Sequence, residues 1–208
     1  MTNLTPLPES EAQDKVAQTY ERIKEMFDGE GIPEPFLIYG RVPAFLQDFY
    51  MNFKKFVLKE GKLDTLTKAY LGLAVSSLYR CKPWIEFFDT QAKKLGATDE
   101  QLRDVLAVAA TNSMYNTFFK FRDISGSDIF EGMPVGLRAH TFTNCSLEES
   151  TVELINIALS DLNACKPCVT GHLAKVRELG IKDEAILEAI QCTATMIAGL
   201  QFLNSVTN

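Results

Sequence analysis

The stretch Cys165-Lys166-Pro167-Cys168-Val169-Thr170-Gly171-His172, read against Cys81-Lys82-Pro83-Trp84-Ile85-Glu86-Phe87-Phe88, decides the fold. The two Cys-Lys-Pro runs lie 84 residues apart. The same offset carries Leu95-Gly96 onto Leu179-Gly180, Asp99-Glu100 onto Asp183-Glu184, Ala110-Thr111 onto Ala194-Thr195 and Phe118 onto Phe202. Each match falls at the same point of one pattern: a helix, a turn, a helix opened by proline, a glycine stop and a long helix. One three-helix unit is therefore made twice, and such units bury their apolar faces against each other. No strand pattern is read, so the expected fold is all-α with pseudo-twofold character.

Working outward, Glu9 to Phe27 reads as an amphipathic helix, with Val16, Tyr20, Ile23 and Phe27 at spacings of three and four. Asp28 to Pro35 breaks it, and Phe36-Leu37-Ile38-Tyr39 reads as a short extended piece. Pro43 opens a second helix to about Leu58, whose stripe of Phe45, Leu46, Phe49, Phe53 and Phe56 suits a core or an oligomer contact. Thr98 with Gln101, and Ser146 with Glu149, have capping-box spacing. Phe121 to Asn144, with Ser125-Gly126-Ser127 and Gly132-Met133-Pro134, is loop chemistry, and His140 is a loop histidine. We divide the chain into a single domain over 1–208: a two-helix extension over 1–62, the first copy over 63–120, a linker over 121–145 and the second copy over 146–208.

With 208 residues, 46% of them hydrophobic, the chain can build one sizeable core. A net charge of −6 argues against a nucleic-acid surface. The start, Met1-Thr2-Asn3-Leu4-Thr5-Pro6, has no basic-then-apolar signal pattern, and no stretch reads as long and uncharged enough to span a bilayer. The expectation is a soluble, cytoplasmic protein with no membrane partner. Its five cysteines lack the spacing of a disulfide framework, so a Cys-x-x-Cys pair points to redox or metal chemistry.

The copies differ where chemistry would sit. Opposite Cys168 stands Trp84, opposite His172 stands Phe88, and opposite Glu153 stands Ala69. One copy carries thiol, imidazole and carboxylate, and the other keeps only the scaffold. On a helix Cys165, Cys168 and His172 share a face, with the two Cα atoms roughly 5 Å apart, which a disulfide can bridge. Pro167 has no N–H and belongs in the first turn, so both cysteines sit near a helix N-terminus, where an anion is favoured. Lys166 adds positive charge. His172, one turn beyond Cys168, can take its proton. With the turn near Leu162-Asn163, Glu153 comes level with His172 across an antiparallel hairpin and can orient the imidazole. Cys168 would then attack a peroxide O–O bond and Cys165 would close the disulfide.

The duplicated unit with Glu153 followed by Cys165-x-x-Cys168-x-x-x-His172 resembles the alkyl hydroperoxidase D-like family of the carboxymuconolactone decarboxylase superfamily, in particular its larger peroxidase-related members. The second copy matches closely and the first as a degenerate version. The resemblance implies reduction of organic hydroperoxides, with an external dithiol or redox protein as electron donor. It also implies no bound metal or organic cofactor, and a homo-oligomer, usually a trimer or hexamer. Carried over residue by residue, Glu153, Cys165, Cys168 and His172 match the relay. The best-known members have a histidine just before the second cysteine, where this chain has Pro167, so that helper is missing.

Three alternatives stay open on sequence. A cofactor-free decarboxylase of the same superfamily acts on a lactone acid and needs no dithiol. A metal site on Cys165, Cys168 and His172 lacks an evident fourth ligand. A non-catalytic interaction protein would need no complete relay. Cys81 reads as a remnant of an ancestral pair, Cys192 as core and Cys145 as a loop residue, while Tyr79, Trp84, Phe87, Phe88 and Tyr115 are core or pocket aromatics.

Overall fold

The computed structural model describes residues 3–207; the reading made at Met1 and Thr2 lies outside them. Three short N-terminal helices, α1 (Asp14–Met26), α2 (Glu34–Tyr39) and α3 (Pro43–Asn52), precede a wide π turn over Phe53–Leu58. The first copy is α4 (Thr65–Leu78), α5 (Lys82–Lys94) and α6 (Asp99–Ser125). A short α7 (Asp128–Glu131) and a 3-10 turn (His140–Phe142) lead to α8 (Glu149–Leu162), α9 (Lys166–Glu178) and α10 (Asp183–Val206). Among the described residues there is no strand.

The duplication holds to the residue at both ends of the first two helices of each copy. It extends to the turns. Arg80 and Ala164 both take a left-handed φ of +52°, and Gly96 and Gly180 take +97° and +82°. Each closes a helix by the same device. The N–H of Cys81 bonds the carbonyl of Ser76 at 3.1 Å, as that of Cys165 bonds Ser160 at 3.0 Å. This is a Schellman-type ending, which satisfies carbonyls that would otherwise be orphaned. The long helix of each copy packs on the first helix of the other, α6 on α8 and α10 on α4, so the copies share one core.

The N-terminal extension covers the outer side of the first copy. Phe36, Phe49 and Phe53 surround the fully buried Trp84, with ring centroids 5.2–5.8 Å away. The indole N–H donates to Tyr39 Oη at 2.9 Å, and Tyr39 donates to the carbonyl of Gly199 at 2.9 Å. Burying such rings contributes about 1.5–3 kcal/mol each. A Cβ at Gly199 would lie 2.5 Å from the Phe49 ring, so the helix must be bare there.

Four expectations are corrected. Phe36–Tyr39 is helical, because Pro33 and Pro35 pre-set the first turn of α2 and four apolar residues alone do not fix a period. Ser146 and Glu149 form no capping box: the Ser146 N–H and Oγ both bond Asp104 of α6, at 2.7 and 2.6 Å. The Thr98–Gln101 box does form, with bonds of 2.9 and 3.1 Å. The segment Glu9–Glu11 is a separate 3-10 turn ahead of α1. Finally, α10 is long and apolar enough to cross a membrane by length and composition, but 56% of its apolar window is buried here. It serves as a core helix, through Cys192, Met196, Leu200 and Leu203.

Candidate active site

The site is built at the α8–α9 hairpin. The left-handed turn at Ala164 stops α8, and Cys165 becomes the N-cap of α9. Pro167 occupies the second helical position and Cys168 the third, so both sulfurs stand where helix amides carry partial positive charge. Cys165 and Cys168 are bridged, with Cα atoms 5.3 Å apart. Cys165 is 0% exposed and Cys168 8%.

One turn further, His172 Nδ1 lies 2.7 Å from Glu153 Oε2 of α8. The side chains of His172 and Glu153 are 22% and 11% exposed, so the carboxylate is nearly withdrawn from water and faces a single ring nitrogen. A carboxylate so enclosed is stable when paired and hydrogen-bonded. The contact fixes which imidazole nitrogen faces α8 and leaves the other free. On the outer edge of the hairpin, Lys175 Nζ meets Glu149 at 3.2 Å. All four residues singled out by sequence thus come together across one hairpin.

A cavity of about 360 Å³ opens over this hairpin, lined by Tyr115 and Phe119 of α6, Ala139 and Phe142 of the segment before α8, and Pro167, Cys168, Gly171 and His172 of α9. The Phe142 ring stands edge-on to the imidazole, with centroids 6.4 Å apart. Tyr115 is held by a bond from its hydroxyl to the Leu137 carbonyl at 3.1 Å. Ala139 and Phe142 were not expected at the site from sequence, because their segment reads only as loop. Of the other aromatics considered, Trp84 and Phe88 are core, and Phe87 lines a separate cleft beside Pro83. Among the described residues no group of three or more His, Cys, Asp or Glu side chains gathers as a metal site.

The remaining thiols are of a different kind. Burial pushes Cys192 up to about 12 and also raises Cys81, so neither is a ready nucleophile. Cys145 is half-buried in the loop before α8.

Comparison with known proteins places this arrangement. The chain is 33% identical over 161 residues to an alkyl hydroperoxide reductase AhpD of Solibacter usitatus, covering 76% of this chain and 89% of that protein. It is 27% identical over 157 residues to an alkyl hydroperoxide reductase AhpD of Anaeromyxobacter sp., covering 76% and 84%. Two solved structures share the fold. One is an AhpD-core, peroxidase-related protein of Ralstonia eutropha (TM-score 0.65, 14% identity, 99% and 92% covered). The other is a putative γ-carboxymuconolactone decarboxylase subunit of Burkholderia xenovorans (TM-score 0.65, 15% identity, 93% and 97% covered). The model of the carboxymuconolactone decarboxylase family matches twice, over residues 45–121 and 130–206, and the chain belongs to that family.

Proposed function

We propose that this chain is a thiol-dependent peroxidase that reduces organic hydroperoxides through Cys165 and Cys168. The observation that carries the reading is the asymmetry of the bridged pair: Cys168 lines the cavity beside His172, while Cys165 is fully buried behind it. Cys168 is therefore the attacking sulfur and Cys165 the resolving one. Once the bridge is opened by two electrons and two protons from an external dithiol or redox protein, His172, oriented by Glu153, takes the Cys168 proton. The thiolate attacks the O–O bond. The alkoxide leaves with the proton returned by His172, and Cys168 becomes a sulfenic acid. Cys165 attacks that sulfur, water leaves, and the disulfide re-forms.

The cavity walls support an organic substrate. Tyr115, Phe119, Phe142 and Pro167 present mostly carbon to the sulfur, and no lysine or arginine lines the cavity. A lactone acid, the substrate of the decarboxylase reading, would find no lysine or arginine in that lining to pair its carboxylate. Pro167 stands in the lining where the best-known relatives have a second histidine, so the relay runs on His172 alone. The reading includes a reducing, cytoplasmic setting and a homo-oligomer, for which the exposed Phe121, Ile124, Ile129 and Met133 supply apolar surface.

The test is hydroperoxide consumption driven by reduced lipoamide, with light scattering run on the same preparations. Wild type should turn over as an oligomer. Cys168→Ser should be inert, and pre-reduced Cys165→Ser, freed of lipoamide, should consume one equivalent and stop at the sulfenic acid. Full turnover by Cys168→Ser would refute the assignment.

A further inference from the structure

Between α6 and α8 lies a buried polar cluster that the proposed peroxidase steps do not use. Asn112 and Asn116 of α6 and Asn156 and Ser160 of α8 are all buried. Asn112 Nδ2 donates to Asn156 Oδ1 at 3.0 Å and to Ser160 Oγ at 3.3 Å. Ser160 Oγ donates to Asn116 Oδ1 at 2.9 Å, and Asn116 Nδ2 donates to Asn112 Oδ1. At the 84-residue offset the α4–α10 interface offers no such cluster: Met196, Leu200 and Gly72 stand at the three asparagine positions, and only Ser76 is kept. The amides thus keep company with Glu153, Cys168 and His172, which also face apolar counterparts.

One atom of the cluster is unaccounted for. Asn156 Nδ2 is buried and has no hydrogen-bond partner, although its Oδ1 is taken by Asn112, which fixes the orientation of the amide. A buried donor left unpaired is penalised, and glycine fills this position in the other copy without one. That other copy indicates where the side chain goes. A Cβ on Gly72 would lie 2.3 Å from the ring of Phe88. Phe88 is the counterpart of His172, so by the duplication position 156 is the one that faces residue 172 across the hairpin, one turn from Cys168 along α9.

We propose that Asn156 completes the site: its uncommitted Nδ2–H group is the donor that the Cys168 thiolate gains when the disulfide opens. The inference rests on the redox reading of the cysteine pair. In the bridged form the sulfur is neutral and a poor acceptor, which fits an amide without a partner. When an external dithiol supplies two electrons and two protons, the S–S bond breaks, Cys165 takes one proton as its thiol and the donor leaves as a disulfide. The second proton resides on His172, and the Cys168 thiolate accepts the Asn156 N–H. The titratable and charged groups near Cys168 are Cys165, Lys166 and His172 on α9, Glu153 on α8 and Tyr115 on α6, with Arg122 and Asp123 of α6 beside the neighbouring Pro167. Of the covering segment, Ala139 and Phe142 line the cavity and Glu131 lies beside Pro167. Tyr115 already donates to the Leu137 carbonyl, which leaves Asn156 as the uncommitted neutral donor.

The test titrates Cys168 in the reduced protein by alkylation rate against pH, with peptide mass spectrometry reading that site. Asn156→Leu keeps the branched outline of the side chain and removes the donor. Its titration should move up by about one pH unit, tenfold less thiolate. Its disulfide potential, measured above both titrations, should fall by about 30 mV, the two-electron equivalent of tenfold, because the reduced form has lost support. Asn112→Ala, which frees the Asn156 amide, should move both in the same direction by less. Met196→Ala, the matching lesion between α4 and α10, should lower the melting temperature and move neither. Unchanged titration and potential in Asn156→Leu would overturn the proposal, as would an unchanged Asn112→Ala if the leucine variant fails to fold. Neither readout depends on peroxide turnover, so a failed peroxidase assay leaves this test intact.

Discussion

Glu153 and His172 meet at 2.7 Å, but a close pair can serve either chemistry or the seam between α8 and α9. The two roles separate by pH. If the pair withdraws the Cys168 proton, Glu153→Gln should slow dithiol-driven hydroperoxide reduction at neutral pH by about a hundredfold, as loss of general-base help does. The deficit should shrink as pH rises past about 8.5, where a thiol ionises unaided. A deficit that stays constant with pH would assign the pair to the helix seam. The experiment is readable because the competing thiols are quiet. Cys192 and Cys81 are raised by burial, which favours the neutral form, and Cys168 alone of the five cysteines borders the cavity.

The two hairpins, α4–α5 and α8–α9, have the same backbone and opposite contents. Gly72 sets the difference in the first: its bare Cα lets Phe88 lie flat against α4, 2.3 Å from where a Cβ would be. Gly72→Ala should therefore destabilise the protein by about 1–3 kcal/mol through overpacking, seen as a lowered denaturation midpoint. Dithiol chemistry in the other hairpin should be unaffected. A midpoint equal to wild type would mean that Phe88 has slack. These hairpins were legible in the sequence because proline, glycine and the Cys-Lys-Pro repeat mark their ends by local rules. The meeting of Glu153 with His172 was legible too, since equal distance from a turn fixes who faces whom. What was not legible depends on tertiary competition. Ser146 has the spacing to cap α8 but is taken by Asp104, and Phe142 reads as loop because nothing local says that its ring covers an imidazole. The family match beginning at residue 130 treats that segment as part of the second repeat.

Across the whole molecule, each copy ties down the loop that enters the other. Asp104 of α6 accepts from the backbone of Ser146 ahead of α8. Glu188 of α10 accepts from the backbone of Lys62 ahead of α4, and it also pairs with Lys68, whose ammonium is fully buried and bonded to the Lys59 carbonyl. The second tie is the vulnerable one. Burial alone would raise the Glu188 pKa, but the bonds from Lys68 and the Lys62 N–H outweigh it and hold the carboxyl below its ordinary 4.5. A carboxylate with a lowered folded pKa contributes stability in full above its unfolded value and loses it as pH falls through the folded one. Wild type should therefore lose denaturation free energy steeply below about pH 4.5, and Glu188→Gln should lose less over that range. At pH 7 the order reverses. Glu188→Gln strands the Lys68 charge and should cost about 3–5 kcal/mol, whereas Lys68→Met combined with Glu188→Leu should come within about 1 kcal/mol of wild type or exceed it. Urea denaturation of the three proteins at pH 7 and pH 3.5 decides it. If the single variant matched wild type at pH 7, the pair would contribute nothing to holding the copies together, and the shared apolar core between α4 and α10 would have to do so alone.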